Sequence, residues 1–206
     1  MWGASRPRAW PAVLVDGDLK VRPISRLDQA EWLESRSHSA EWLGPWEASV
    51  PEGTEPATVT YADLVRRLRR SARLGTTMPF AIEVDQRLVG QVTVNNIVRG
   101  SAQFASLGYW IDERWAGRGL VPRAVALVID HCFTVAGLHR LEICVRPENS
   151  NSLRVVEKLG LHEVGLAPRY LHIDGDWRDH RVYAVTREEV PGGMLARLRE
   201  NIGRDG

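Results

Sequence analysis

The stretch Arg114-Trp-Ala-Gly-Arg-Gly-Leu120 decides the fold of this chain, because a strand pattern precedes it and a helix pattern follows it. Residues 107–112 read Leu-Gly-Tyr-Trp-Ile-Asp, which predicts a strand, and apolar residues recur at helical spacing from Val121 to Ala136. The free N–H groups of a first helical turn and the helix dipole both favour a phosphate. Two glycines let the backbone approach such a ligand closely, so the turn is a candidate anion site.

Three phosphate-binding motifs compete for this turn. A Walker loop ends in Gly-Lys-Ser/Thr, which is absent here. A dinucleotide fingerprint needs a third glycine where Pro122 stands. The segment from Arg114 to Gly119 matches in full the pattern Gln/Arg-x-x-Gly-x-Gly/Ala, which resembles the coenzyme A pyrophosphate loop of the GNAT N-acetyltransferases. A plain glycine-rich turn between a strand and a helix is the remaining alternative.

Neighbouring motifs favour the coenzyme A interpretation. A predicted strand, Leu141–Val145, leads to Asn149-Ser-Asn-Ser152 and a helix that stops at Gly160. Asn-x-x-Ser before such a helix resembles the second coenzyme A motif of the same superfamily. Three more segments, 96–101, 107–111 and Tyr170–His180, resemble the RimJ/RimL branch, whose members acetylate the N-terminal alanine of ribosomal proteins. The resemblance extends over residues 19–188.

The resemblance implies an α/β (α+β) fold of the GNAT type. The predicted order, β-α-α-β-β-β-α-β-α-β-β, corresponds to a mostly antiparallel mixed sheet of about seven strands flanked by about four helices. We expect residues 1–17 to be an N-terminal extension, 18–190 the acetyltransferase domain, and 191–206 a C-terminal tail with a weakly amphipathic helix.

Three local expectations concern the acceptor side of the chain. A short helix begins at Asp28 with an apolar side formed by Ala30, Trp32 and Leu33, and Leu19–Ile24 is an edge strand. The segment from Trp42 to Pro56 is a loop. Thr58 caps the next helix.

Composition excludes several classes of function. The net charge of the 206 residues is +1, which argues against direct DNA binding. No apolar run approaches the roughly twenty residues of a membrane span, and no His or Cys cluster suggests a metal. Cys132 and Cys144 are expected to be buried free thiols of a cytoplasmic protein.

The resemblance implies acetyl-CoA as co-substrate. Its pantetheine arm would pair with backbone at the end of one strand, and the glycine turn would hold the pyrophosphate. The side chains of Arg114 and Arg118 would neutralise phosphate charge, or would be exposed arginines at a helix start. The candidate cofactor-binding residues are Trp110, Ile111, Asp112, Arg114, Gly117, Arg118, Gly119, Leu120 and Asn149.

The resemblance also implies a catalytic acid. Many GNAT enzymes use a Tyr where Val156 stands here, and in the RimL group a serine that matches Ser152 is the proposed acid. Ser152 could instead be an ordinary helix-start serine. Asn149 would orient it or cap the helix. Tyr109 is another polar candidate near the cleft, whereas Glu83 and the histidines are expected to be structural.

The acceptor is expected to be an α-amine, because that group titrates near 8 and needs only a weak base. The resemblance places acceptor contacts in the Trp42–Pro51 loop and the 170–180 hairpin. Candidate substrate-binding residues are Trp46, Asn96, Tyr170 and Trp177, while acids such as Glu47 could attract a cation. Five arginines on one helix could touch ribosomal RNA or form a solvated face.

The leading hypothesis is therefore an acetyl-CoA-dependent Nα-acetyltransferase whose partner is a ribosomal protein. It would act by direct attack in a ternary complex, with Ser152 as general acid. One alternative is an acetyltransferase for a polyamine or aminoglycoside. Another is a non-catalytic module that binds coenzyme A or assists ribosome assembly. The oligomeric state is left open.

Overall fold

A computed structural model describes residues 9–53 and 60–204. Within these residues, eight strands form one sheet in the order β1-β2-β3-β4-β5-β6-β8-β7. The strands are β1 (Leu14–Asp16), β2 (Leu19–Pro23), β3 (Met78–Val84), β4 (Arg87–Val98), β5 (Phe104–Ile111), β6 (Arg140–Val145), β7 (His162–Ile173) and β8 (Asp176–Thr186). The helices are α1 (Gln29–His38), α2 (Ala40–Leu43), α3 (Tyr61–Arg73), α4 (Leu120–Thr134), α5 (Ser150–Lys158) and α6 (Met194–Arg204).

The predicted mixed, mostly antiparallel sheet is confirmed, since only β5 and β6 pair in parallel. The extra strand is β1, which lies within residues 1–17 and pairs with β2. The expectation that β2 is an edge strand is therefore wrong. β1 has only three residues, and apolar and polar residues do not alternate in it. Its sequence is therefore too short to predict a strand.

The two faces of the sheet are covered by different helices. α4 is buried along most of its length and forms the main core with the strands, and α6 packs against α4 through Met194 and Leu198. On the other face, Tyr61 and Val65 of α3 pack with Ile24 and Trp32. Helices therefore cover both faces of the sheet.

The predicted apolar side of α1 is corrected by the structure. Ala30 and Leu33 are exposed, Trp32 is partly buried, and Ser35 is the buried residue. Ser35 bonds Asp112, and Ser39 Oγ accepts the Glu113 N–H at 3.0 Å. Hydrogen bonds of small polar side chains therefore hold α1 in place. Such contacts cannot be predicted from the periodicity of apolar residues.

The predicted loop after Trp42 is also corrected, because α2 and a 3-10 turn at Gly44–Trp46 occupy its beginning. The predicted cap Thr58 lies outside the described residues, and Thr60 caps α3 by accepting the Asp63 N–H.

β5 and β6 diverge, and this divergence positions the candidate site. Their register covers Phe104–Ser106 against Arg140–Glu142. Residues 107–111 and 143–145 have no mutual pairing in the described sheet, so a wedge opens toward the glycine turn.

Candidate active site

The glycine turn has the geometry of an anion cradle. Gly117 and Gly119 have φ of 77° and 73°, a region that side chains disfavour. A Cβ added to either would meet nothing within 4 Å, so both glycines border open space. Gly119 is the N-cap of α4 and no side chain caps this helix, which leaves its first N–H groups available. These features fit the pyrophosphate of a coenzyme A ester.

The basic groups beside this turn come from α5. A cavity of about 380 Å³ is lined by Trp42, Ile111, Trp115, Ala116, Gly117, Gly119, Leu120, Val121, Pro122, Asn151, Arg154, Val155 and Lys158. Arg154 and Lys158 are its only cations among the described residues. Sequence reasoning missed both, although their spacing of four places them on one face of α5.

The two predicted phosphate arginines have other partners. The Arg114 guanidinium bonds the Asp112 carboxylate at 2.6–3.2 Å and Glu34 at 2.9 Å. Arg118 lies 4.7 Å from the Trp115 ring and donates to the Arg114 carbonyl. Neither residue is among those that line the cavity, so a phosphate contact by their side chains stays a prediction.

The end of β5 offers backbone groups to the wedge. The Asp112 N–H donates to Val89 on β4 at 2.8 Å, and alternation along a strand then turns the polar groups of Tyr109 and Ile111 toward β6. Asp112 itself is fully buried. Burial works to raise its carboxyl pKa, but hydrogen bonds from Arg114 outweigh this and hold the pKa below its usual range. Asp112 is therefore a support for the turn rather than an exposed contact.

Three predicted catalytic residues meet at the wall of the wedge. Asn149 caps α5, with its Oδ1 accepting the Ser152 N–H at 3.0 Å. Ser152 Oγ lies 2.7 Å from the Tyr109 hydroxyl. Burial raises the pKa of Tyr109 well above its usual range, although its bond to Ser152 opposes this shift. The phenol therefore stays protonated at neutral pH and can act as the donor to Ser152.

The acceptor side of the wedge is a second cavity of about 360 Å³. It is lined by Arg36, Trp42, Leu43, Trp46, Glu47, Ala48, Tyr109, Trp110, Ile111, Val121, Asn149, Asn151, Ser152 and Val155. Among these described residues Glu47 is the only carboxylate. It forms an ion pair with Arg36, whose guanidinium lies 5.6 and 5.3 Å from the rings of Trp32 and Trp110. A carboxylate and an aromatic wall can hold an ammonium group.

A short segment, residues 45–49, ties this cavity to the hairpin of β7 and β8. Ala48 forms a β-bridge with Ile173, the Ser49 N–H donates to the His172 backbone carbonyl at 3.0 Å, and the Asp174 N–H donates to the Glu47 backbone carbonyl at 3.0 Å. Arg146 donates to the Pro45 carbonyl at 2.7 Å and lies 5.2 Å from the Trp46 ring. The segment thus closes one side of the acceptor cavity and holds Trp46 and Glu47 at its wall.

Three predicted substrate residues do not line either cavity of the wedge. Tyr170 and Trp177 are about half exposed on the hairpin, where their rings meet His180 at 5.8 Å and His172 at 5.5 Å. Asn96 lies at the other end of β4 from Gly90, which faces Ile111, and its Nδ2 is 3.3 Å from Ser106 Oγ. Of the four predicted acceptor contacts, the structure brings only Trp46 to the cavity.

The groups expected to be structural have structural partners. Glu83 bonds Lys20 and Arg22. His139 and His162 each lie 3.0 Å from a glutamate, and His172 lies 2.9 Å from Ser49. Burial lowers the pKa of His180, whose Nδ1 lies 3.0 Å from the Arg178 carbonyl.

Within the described residues, no cluster of three or more His, Cys, Asp or Glu could hold a metal, and no helix is long and apolar enough to span a membrane.

Comparisons with known proteins agree with this geometry. The family model described as "Acetyltransferase (GNAT) domain" matches residues 18–162. The [ribosomal protein uS5]-alanine N-acetyltransferase of Escherichia coli K12 is 35% identical over 177 residues, which cover 84% of this chain and 91% of that protein. The spermidine N(1)-acetyltransferase of the same organism is 32% identical over 78% of this chain and 82% of its own length.

Two further proteins resemble this chain, one over about half of its length and the other over nearly all of it. The probable N-acetyltransferase YjcK of Bacillus subtilis is 44% identical over 101 residues, but the match covers only 49% of this chain and 56% of that relative. The solved structure of Mycobacterium smegmatis RimJ in complex with CoA-disulfide superimposes with a TM-score of 0.87 and 37% identity, and the match covers 93% of this chain and 95% of that one.

Proposed function

The chain belongs to the GNAT acetyltransferase family and is an N-acetyltransferase that uses acetyl-CoA, and on this basis we propose that it acetylates the N-terminal α-amine of a ribosomal protein. The observation that carries the proposal is the chain of contacts from Asn149 through Ser152 to Tyr109 at the wall of the wedge. It supports the proposal because Ser152, a possible hydroxyl donor, lines the acceptor cavity, whose lining also includes residues of the cavity beside the glycine turn.

Acetyl-CoA supplies a thioester whose carbonyl carbon accepts the amine. The backbone of Tyr109 and Ile111 orients the pantetheine arm by strand-like pairing, and the α4 N-terminus with Arg154 and Lys158 binds the pyrophosphate. This arrangement fixes the reacting carbon beside the acceptor cavity. Positioning of this kind is a large part of catalysis for a direct transfer between two bound molecules.

Ser152 is the proposed general acid. In the proposed arrangement Tyr109, which keeps its proton, acts as the donor to Ser152 Oγ, and the serine proton then points into the cleft. There it can be given to the sulfur as the carbon–sulfur bond breaks, and the proton lost by the attacking nitrogen, carried by water, restores the serine hydroxyl. Asn149 positions this serine by holding the first turn of α5.

Glu47 is the proposed anchor of the acceptor amine. About a tenth of an α-amine with a pKa near 8 is neutral at pH 7, so no strong base is needed. Glu47, beside its ion pair with Arg36, can attract the ammonium form to the cavity wall, and the amine attacks the thioester after it has lost this proton to water. The flat walls of Trp46 and Trp110 favour a small first residue such as Ala or Ser beside it.

A small polyamine is the second candidate acceptor, and the similarity to a spermidine acetyltransferase favours it. A polyamine carries several ammonium groups and would need several carboxylates. The described residues of the acceptor cavity supply only Glu47, which fits a single amine better.

The test is acetyl transfer from acetyl-CoA to a panel of acceptors, with thiol release as the readout. We expect peptides that begin with Ala or Ser to be acetylated. The same peptides, blocked at the N-terminus but carrying lysine, should not react. Faster acetylation of spermidine or of a lysine side chain than of any α-amine would replace the protein acceptor by the small-amine alternative.

A further inference from the structure

α3 carries a strongly basic surface that the proposed reaction does not use. Its exposed side holds five arginines, here called the arginine face: Arg66, Arg67, Arg69, Arg70 and Arg73. The opposite side of the helix, with Tyr61 and Val65, is buried. Asp63 is the only acid of this helix, whereas the whole chain has a net charge of only +1.

Most of the arginine face has no partner in the protein. Asp63 pairs with Arg66. The side chains of Arg67, Arg69, Arg70 and Arg73 make no hydrogen bond, ion pair or ring contact with any other part of residues 9–53 and 60–204. An ordinary solvated helix face carries charges of both signs at spacings of three or four. Beyond the Asp63–Arg66 pair, all the charges on this face are positive.

The spacing of the arginines makes them repel one another. Arg66 lies three and four residues before Arg69 and Arg70, and Arg73 lies four and three residues after the same pair. Like charges at these spacings destabilise a helix. The helix dipole stabilises the positive charges of Arg70 and Arg73 in the last turn. It does not stabilise those of Arg66 and Arg67 in the middle of the helix. A bound polyanion would remove this repulsion.

The arginine face lies on the acceptor side of the sheet. Tyr61 at the start of α3 meets Trp32 at 5.1 Å, and Trp32 meets Trp110 at 6.3 Å. Trp110 lines the acceptor cavity. At the other end of the helix, Arg73 lines a separate cavity of about 520 Å³ together with Arg99.

We infer that the arginine face binds the phosphate backbone of RNA next to the acceptor, so that the enzyme recognises a ribosomal protein on its RNA. This inference rests on the proposed ribosomal acceptor. Guanidinium groups pair with phosphates, and phosphate contacts position a protein without reading sequence. A local basic face on a nearly neutral chain gives such contact without attraction to nucleic acid over the whole surface.

The test measures binding to a fluorescent RNA duplex at several salt concentrations. Wild-type protein should bind with a slope of log K against log salt of about −3.5, which corresponds to about four phosphate contacts. R67Q/R70Q should bind at least about tenfold more weakly at 0.1 M salt and reduce the slope by about 2. Because it relieves repulsion, this variant should fold with an equal or higher Tm. The control R187Q/R199Q removes two exposed arginines elsewhere and should bind like wild type.

Peptide acetylation separates the inference from the proposed function. R67Q/R70Q should acetylate a short α-amine peptide at the wild-type rate, because the peptide carries no RNA. Equal RNA binding by wild type and R67Q/R70Q, or equal competition by polyglutamate and RNA, would overturn the inference while peptide acetylation stands. A wild-type protein that binds RNA but leaves every α-amine peptide unmodified would instead reject the proposed acceptor.

Discussion

Individual residues determine the chemistry of the cleft through a few atoms each. The glycine turn relies on left-handed backbone at Gly117 and Gly119, the proposed acid relies on one hydroxyl pair, and the proposed amine anchor on one carboxylate. Each can be altered without touching the main core, so each can be tested separately.

Replacing Gly117 and Gly119 by Val should abolish acetyl-CoA binding measured by calorimetry. The new Cβ atoms would project into the cavity proposed for the pyrophosphate and would strain the turn. Gly75→Val is a matched control, since Gly75 also has a positive φ with no atom near its Cβ but lies outside the wedge. Unchanged affinity in the double variant would remove this turn from the cofactor site.

Ser152→Ala should lower kcat by roughly ten- to a thousandfold with little change in KM for acetyl-CoA, as expected for a contact made in the transition state. Tyr109→Phe should show a smaller loss in kcat, because it only frees the serine to rotate. Ser150→Ala removes an exposed hydroxyl at the start of the same helix and should be neutral. A fully active Ser152→Ala enzyme would assign the proton donor elsewhere.

Glu47→Gln should raise KM for an α-amine peptide about tenfold, the loss expected for one charge-assisted contact. KM for acetyl-CoA should stay the same. Glu41→Gln changes an exposed acid of α2 and is the control. If the peptide KM of the Glu47 variant equals that of wild type, the ammonium is held by another group.

At the scale of secondary-structure elements, α4 and α5 contribute different groups to the proposed cofactor site. α4 contributes an uncapped N-terminus, and α5 contributes Ser152 toward the acceptor cavity and a basic edge toward the glycine turn. Both helices start beside the wedge because β5 and β6, the strands that precede them, diverge there.

R154Q/K158Q should weaken acetyl-CoA binding by about tenfold or more and make it less sensitive to salt, because two cations would leave the phosphate region. Arg118→Gln should change affinity far less, since Arg118 stacks on Trp115 outside the cavity. Titration of acetyl-CoA at two salt concentrations measures both effects. The opposite ranking would return the phosphate contact to Arg118.

At the scale of the whole molecule, two neighbouring cavities at the end of β5 share five lining residues, Trp42, Ile111, Val121, Asn151 and Val155. A donor in one can meet an acceptor in the other without domain movement. Direct transfer in a ternary complex is consistent with this shape.

The pH dependence of peptide acetylation follows from the arrangement. The rate should rise with pH through the titration of the α-amine, near 8, because only the neutral amine attacks. Since the pKa of Tyr109 is raised, its phenol keeps its proton, and no alkaline decline should occur below about pH 10. Initial rates between pH 6 and 10 measure the profile, and a decline centred near pH 8.5–9 would point to a thiol or another acid.

The sequence by itself determined the local structural motifs of this protein, which are its turns, helix caps and hairpin. The glycine turn before α4, the Asn149 cap before Ser152 and the Asp174-Gly175 hairpin each depend on residues within a few positions of one another. Helical and strand periodicity likewise predicted most of the sheet and its helices. Sequence periodicity did not predict the three-residue β1 or the buried Ser35 of α1, because neither belongs to an apolar repeat.

The tertiary structure alone decided which side chains from these motifs come into contact. Tyr109 and Ser152 are 43 positions apart, and Arg114 and Glu34 are 80 apart, so sequence spacing says nothing about either pair. The fold placed Glu47, Arg154 and Lys158 at the wedge, directed Arg114 away from it, and left Asn96 at the far end of β4. The physical reason is that strand register and helix packing, which depend on the whole buried core, fix the distances between side chains on different elements.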